Sequence, residues 1–444
     1  MHTTIFVPSF VPFVLDSFGA VCEMISSSPY SDRYRDLPVP KEDVVFALNS
    51  RAKKDKDQRK VNLVIGAYRD AHGKPMVLRS VRKAEQDLVN QEPPLDKEYQ
   101  DIDGHKGFLK ESVKLLLGRF LSTPDRLARV AAVQTLSGTG AIRIAGELMR
   151  QTLPLTTPVY ISDPTWPNHP TIFQECGFTR IIKYRYFDRR TNLCDFDGMY
   201  ADLADAPKEA IVVFHLCAHN PTGADPSPLQ WEELANLCLK KHFNIIFDSA
   251  YQGYASGSLQ RDAYAARLFA EKGIEFSTAQ SYSKNMGLYG ERIGCFSVLC
   301  GSEKSAQLLT GLLKNIIRPM YSNPPLHGAR LAHSIMSDPE RRADWESELK
   351  SMAERIQYMR KTVYLELLRL KTPGKWDHIV KQIGMFSYLG LSVAQCQRLQ
   401  SDYHIYLMNT GRVNIAGLTK DTAIYLARCI HAVVQAPVKG AAKL

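Results

Sequence analysis

The residues best suited to covalent chemistry lie in Ser281-Tyr282-Ser283-Lys284-Asn285-Met286-Gly287-Leu288-Tyr289-Gly290-Glu291-Arg292, between two apolar runs. Lys284 offers a primary amine, its neighbours Ser281 and Ser283 offer hydroxyls, and Arg292 offers a cation that stays charged. A lysine with its ordinary pKa of about 10.4 is a poor nucleophile at neutrality, and burial or nearby positive charge must lower that value before it reacts. These residue types suit a lysine that holds an aldehyde cofactor covalently, pyridoxal 5'-phosphate being such a cofactor, with an arginine to anchor its phosphate. A solvated surface lysine is the competing reading of this stretch taken alone.

Other residues offer complementary chemistry. Asp248 closes the apolar run Asn244-Ile245-Ile246-Phe247, where an unpaired charge would cost several kcal/mol, so a cation must face it. A protonated pyridine nitrogen would serve, and so would a structural lysine or arginine. Trp166 follows the short run Val159-Tyr160-Ile161 and could stack on a flat ring, with His169 close enough to orient a polar group; a core tryptophan and a surface histidine are the plainer alternative. Asn220, in the turn signal Cys217-Ala218-His219-Asn220-Pro221-Thr222-Gly223, could donate to a ring oxygen. Ser137-Gly138-Thr139-Gly140 opens a helical pattern after a strand-like run. Unpaired N–H groups and the helix dipole make such a turn an anion site, although a structural N-cap looks the same. It is no Walker motif, since no Gly-Lys-Ser/Thr follows. Gly66 is either a turn residue or a point of close ligand approach, and Tyr99 alone reads as a packing tyrosine.

Strands are expected at Val61–Tyr68, Val130–Thr135, Val159–Ile161, Ala210–His215, Asn244–Tyr251, Ile383–Tyr388 and His404–Met408. Helices are expected from Ser137 through Met149, at Pro228–His242, at 310–318 up to Arg318-Pro319, and over Leu418–Val434. Trp345, Leu349, Met352, Ile356, Met359 and Val363 share one face of a long helix, a core-packing pattern. Alternation of strand and helix implies a mostly parallel sheet with ligands at the carboxyl ends of its strands.

At 444 residues, 45% hydrophobic and 23% charged, the chain has material for two or three domains of an ordinary globular protein. Its net charge of +10 and pI near 9.0 come from dispersed lysines and arginines, which argues against nucleic-acid binding. The nine cysteines form no C-x-x-C pair, so neither a zinc site nor a disulfide framework is expected. No apolar run reaches the length of a membrane span. Residues 1–29 are read as a non-core extension, for proline interrupts their apolar run and no Lys or Arg precedes it.

Six blocks in order carry a resemblance: SGTGA at 137–141, CAHNPTG at 217–223, FDSAYQG at 247–253, SYSKNMGLYGERIG at 281–294, YSNPP at 321–325 and GRVNIAGLT at 411–419. Together they resemble the aspartate aminotransferase family over nearly all of residues 33–435. The resemblance implies an α/β, fold-type I pyridoxal-phosphate-dependent transferase with a mostly parallel large-domain sheet (77–350) and a smaller α+β domain (30–76 and 351–444). It implies a homodimer with active sites shared across the interface, small dicarboxylic amino and keto acids as substrates, and no metal. By the same resemblance Lys284 carries the cofactor, Asp248 pairs with its ring nitrogen, His169 supports Asp248, Tyr251 and Asn220 meet the ring hydroxyl, and Trp166 stacks on the ring. Ser137, Gly138, Thr139, Ser281 and Arg292 match a phosphate cup that Tyr99 completes from the neighbouring subunit. Arg412 matches the ligand of the substrate α-carboxylate, Arg318 the cross-dimer ligand of the distal carboxylate, and Gly66, Trp166 and Asn220 further substrate contacts.

An aromatic amino-acid aminotransferase of the same subgroup is the nearest alternative. Val64 departs from the family's usual glycine. Tyr282, Met286, Gly290 and Arg318-Pro319 look mitochondrial, whereas the first residues lack the arginines of a transit peptide, leaving mitochondrion or cytoplasm open.

Overall fold

The computed structural model describes residues 34–39 and 42–435; the extension expected at 1–29 lies outside them. The chain divides between Ala47 and Leu48 into two compact units, and the unit beginning at Leu48 carries the strands. Its centre is a seven-stranded sheet: β1 (Val130–Leu136), β2 (Val159–Asp163), β3 (Ile181–Arg185), β4 (Ile211–His215), β5 (Asn244–Ser249), β6 (Phe276–Ser281) and β7 (Ile293–Leu299). Their spatial order is β1-β7-β6-β5-β4-β2-β3. The pairs from β3 through β6 are parallel, while β7 runs antiparallel to both β6 and β1.

Both faces of this sheet are covered, which is why the central strands β4 and β5 are largely apolar without a polar alternation. Val212, Phe214, Ile245 and Phe247 pack to one side with Trp231 and Phe269. Ile211, Val213 and Ile246 pack to the other with Ile142, Phe173 and Phe296. Because β7 is reversed, the start of β7 lies at the same sheet edge as the carboxyl ends of β1, β5 and β6. Ser137, Asp248, Ser281 and Arg292 therefore gather at one edge although 155 positions separate the first from the last.

The helices that matter for the site are α1 (Ser137–Thr152), α2 (Glu303–Tyr321) and α3 (Pro339–Arg369). The expected face of α3 is buried throughout, and the Trp345 indole N–H donates to the Asn285 carbonyl at 2.7 Å, tying α3 to the residue after Lys284. Helix α2 outlasts its expected end at Arg318: Pro319 lies inside it and Ser322, at φ 67°, terminates it. A proline so near the last turn removes a single donor, which the helix tolerates.

Beyond the sheet, β8 (Phe386–Tyr388) pairs antiparallel with β9 (Arg412–Asn414). The strand expected over Val61–Tyr68 is only two residues long, Val61–Asn62, paired with Ile405–Tyr406. From Val64 onward its carbonyls turn to side chains instead: the Val64 carbonyl accepts from Arg412 Nη2 at 2.8 Å, and those of Ile65 and Ala67 from Asn414 Nδ2. Side chains thus replace the ladder. Among the described residues the cysteines are free, and no helix is long and apolar enough to cross a membrane.

Candidate active site

At the sheet edge lies a cleft lined by Ser137, Gly138, Thr139, Trp166, Asn220, Asp248, Ala250, Tyr251, Ser281, Ser283, Lys284 and Arg292. They stand at or just beyond the carboxyl ends of strands, apart from Arg292, which directly precedes β7. Ser137 begins α1 directly after β1, with φ at 60°. Its hydroxyl lies 3.0 Å from that of Ser281 and 2.9 Å from that of Ser283. Arg292 Nη1 donates to the Tyr289 carbonyl at 3.0 Å and lies 3.5 Å from Ser283 Oγ. A Cβ on Gly138 would sit 3.1 Å from the Ser281 Cβ, a tight contact that the glycine avoids. Three buried hydroxyls, a guanidinium and the first N–H groups of a sixteen-residue helix make an anion cradle. Ser283 was absent from the expected cup; its signal was its place two residues after Ser281, on the same side of Lys284.

Lys284 Nζ lies 5.3 Å from the centroid of the Tyr251 ring. Burial lowers its pKa; Asp248 opposes that shift and Arg292 adds to it. Asp248 shows the opposite balance: burial works against its charge, but His169, His215 and Lys284 outweigh it and the net shift is downward. A carboxylate that keeps its charge stands beside an amine biased toward neutrality.

Beneath Asp248 runs a chain of buried histidines. The backbone N–H of Asn220 points at His215 Nδ1 from 3.5 Å, which leaves the His215 proton on Nε2, 3.2 Å from Thr165 Oγ1. Thr165 can then donate to His169 Nδ1 at 2.8 Å, leaving the His169 Nε2 proton to face Asp248 Oδ2 at 3.2 Å, off the ideal line for a hydrogen bond. The His215 and His219 rings lie 4.1 Å apart, and burial holds the pKa of both well below the ordinary histidine value. Thr165 and His215 carry no sequence signal as site residues; only the fold brings them under Asp248.

Arg412 does not line the cleft. It is buried, its guanidinium carbon 4.4 Å above the Phe386 ring, and Phe386 meets the Tyr251 ring at 6.5 Å. Its Nε has no partner. Gly66 borders the same aromatic: a Cβ there would come within 2.6 Å of Phe386 Cζ. His169 lies behind Asp248, with its ring 5.3 Å from that of Trp166. Arg318 is exposed and donates to Ser322 Oγ at 2.7 Å, and Tyr99 is 87% exposed; the single chain brings neither into the cleft.

The cleft suits pyridoxal phosphate. Asn220 Oδ1 is buried without a partner, the hydroxyl cradle suits a phosphate, and an amine and a carboxylate line the same cleft. No group of three metal-ligating side chains occurs among the described residues.

Comparison with known proteins agrees. The family model for aminotransferase class I and II matches residues 58–430. The cytoplasmic aspartate aminotransferase of Oryza sativa subsp. japonica is 47% identical over 411 residues, 93% of this chain and 99% of the relative. The crystal structure of the broad specificity aminotransferase from Leishmania mexicana shares 50% identity with a TM-score of 0.88, covering 91% of this chain and 99% of that one. An aromatic-amino-acid aminotransferase from Burkholderia pseudomallei, covalently bound to pyridoxal phosphate, is 37% identical with a TM-score of 0.87, covering 91% and 100%.

Proposed function

The chain belongs to the aminotransferase class I and II family, and from that premise we propose which of its residues carry out the reaction. It is a pyridoxal-phosphate-dependent aspartate transaminase, converting L-aspartate and 2-oxoglutarate to oxaloacetate and L-glutamate by a ping-pong mechanism. The observation that carries the residue assignment is the convergence of Lys284, Asp248, the orphaned Asn220 oxygen and the hydroxyl cradle on one cleft.

When bound, the cofactor supplies an aldehyde carbon that takes the amino group and a ring that delocalises the electron pair left as the substrate Cα proton departs. The chain does the rest. Ser137, Gly138, Thr139, Ser281, Ser283 and Arg292 hold the phosphate. Asp248, its charge favoured by the neighbouring His169 and Lys284, holds a proton on the ring nitrogen. Asn220 and Tyr251 orient the ring hydroxyl, and Trp166 covers a ring face. Lys284 Nζ takes the Cα proton and returns it, as general base and then acid. Arg412 binds the α-carboxylate as a planar fork. Arg318 and Tyr99 act from the partner subunit of a homodimer, which is how two residues outside the single-chain cleft enter it. The division expected from the sequence, 77–350 as the cofactor domain and 30–76 with 351–444 as a smaller one, would assign Gly66 and Arg412 to the smaller domain.

Aspartate added to the purified holoprotein without a keto acid should bleach the visible absorbance of the bound cofactor, and 2-oxoglutarate should restore it. A spectrum indifferent to both would sink the assignment. Aromatic amino acids form a second reading, motivated by the likeness to the aromatic-amino-acid aminotransferase from Burkholderia pseudomallei, whereas Arg318 argues for aspartate. Turnover of tyrosine or phenylalanine beside that of aspartate tests it.

A further inference from the structure

Arg360 stands on α3, apart from every residue given a role in the reaction, and is 2% exposed. Among the described residues no carboxylate answers its charge. Its guanidinium is spent on carbonyls: Nη1 donates to Ile379 at 3.0 Å, and Nη2 donates to Gly384 at 2.9 Å and also to Phe386. A buried guanidinium without an anion is an expensive way to hold a loop, and burial alone pushes its pKa down to about 9.

The segment it holds touches the site twice. Ile383 N donates to the Gly223 carbonyl at 2.7 Å. A Cβ on Gly223 would strike the Phe386 carbonyl at 2.5 Å, and one on Gly384 would strike Ala218 Cβ at 2.4 Å. Residues 383–386 are thereby interlocked with the turn that carries Asn220. The Phe386 ring, in turn, is the surface on which Arg412 lies, and it fills the space that Gly66 leaves open. The Phe386 backbone, from which the ring projects, can shift only if its carbonyl leaves the guanidinium.

We propose that Arg360 is a positioning residue for substrate carboxylates: by fixing the carbonyls of Gly384 and Phe386 it sets the place of the Phe386 ring and, through it, of Arg412. The inference rests on the reading of Arg412 as the α-carboxylate ligand. A lysine at 360 keeps a charge but offers one nitrogen, which cannot span the three carbonyls in the same fork.

The test uses holoenzyme carrying Arg360→Lys, Arg360→Gln, Phe386→Leu, or Arg360→Lys with Phe386→Leu. Succinate, a dicarboxylate without an amino group, is titrated against the cofactor's visible spectrum. Arg360→Lys should weaken succinate binding about tenfold and raise KM for aspartate and 2-oxoglutarate by a similar factor, while kcat changes less than about threefold and the cofactor spectrum keeps its pH titration. The double variant should bind succinate no more weakly than Phe386→Leu alone, because the two residues act in series. Unchanged succinate affinity in Arg360→Lys, even with a lowered melting temperature, overturns the proposal, as does full additivity in the double variant. If Arg360→Gln does not fold, the lysine variant decides. Arg412→Lys is the control: succinate binding that ignores it would overturn the Arg412 reading itself, whereas weakened binding there beside none in Arg360→Lys overturns only the role of Arg360.

Discussion

The cleft and the Arg412 segment next to it, which we propose as the cofactor end and the carboxylate end of the site, are built from different materials. At the cofactor end, short hydroxyl side chains and one carboxylate stand on the tips of β1, β5 and β6, held by a sheet packed on both faces. At the carboxylate end, a long arginine lies on an aromatic ring, carried by three-residue strands and by a segment whose carbonyls face side chains. The first end is positioned by backbone and needs few supports. The second is positioned by side chains acting on side chains, so its accuracy depends on residues further out. Changes at the first should act on the chemical step, and changes at the second on substrate affinity.

The strongest way to break that division is Lys284→Ala. The phosphate cradle remains, so the variant should still bind the cofactor, yet kcat should fall by about 10⁴-fold, the upper end for loss of a general acid–base group. Cofactor content by absorbance and turnover with aspartate check it together. Turnover within about tenfold of the parent protein would remove Lys284 from the proton-transfer role.

Arg412→Lys probes the other end. Loss of the planar fork should lower kcat/KM by about 10- to 100-fold, or roughly 1.4–2.7 kcal/mol, chiefly through KM. Steady-state kinetics with both substrates give the split. A loss confined to kcat would erase the difference between the two ends.

The same contrast decides what could be read from the sequence. The cofactor end lies in contiguous blocks: Asp248, Asn220 and Ser137 were legible because each closes or follows an apolar run that reads as a strand, and Lys284 because hydroxyls flank it and Arg292 follows. Bringing Arg292 to the same edge also needed β7 to be reversed, which no local pattern encodes. Strand lengths were overestimated where side chains took over the ladder, as at Val61–Tyr68. Phe386 and Arg360 gave no signal, because an aromatic in a strand and an arginine on a long amphipathic helix are ordinary until their partners are known. Thr165 and His215 escaped for a similar reason: their role is to orient His169, and that exists only in three dimensions.

The smallest effect tests whether the underside of the cofactor end is held neutral. His215 and His219 are buried, at 6% and 1% exposure, and burial keeps both pKa values well below the ordinary 6.5. Below pH 6.5 the unfolded chain binds protons that the folded chain refuses, so stability falls as pH drops. The contribution is fully present above the unfolded value and is lost by about 1.4 kcal/mol per pH unit for each such group on the way down to its folded value. His219→Asn removes one of the two groups. Denaturant unfolding of the holoprotein at intervals between pH 7 and pH 5 should show a shallower decline in the variant by about that slope, even if its stability at pH 7 is lower. Parallel declines would mean that His219 takes up a proton in the folded protein, and the chain from Asn220 through Thr165 to Asp248 would then sit against a charge that its hydrogen bonds do not accommodate.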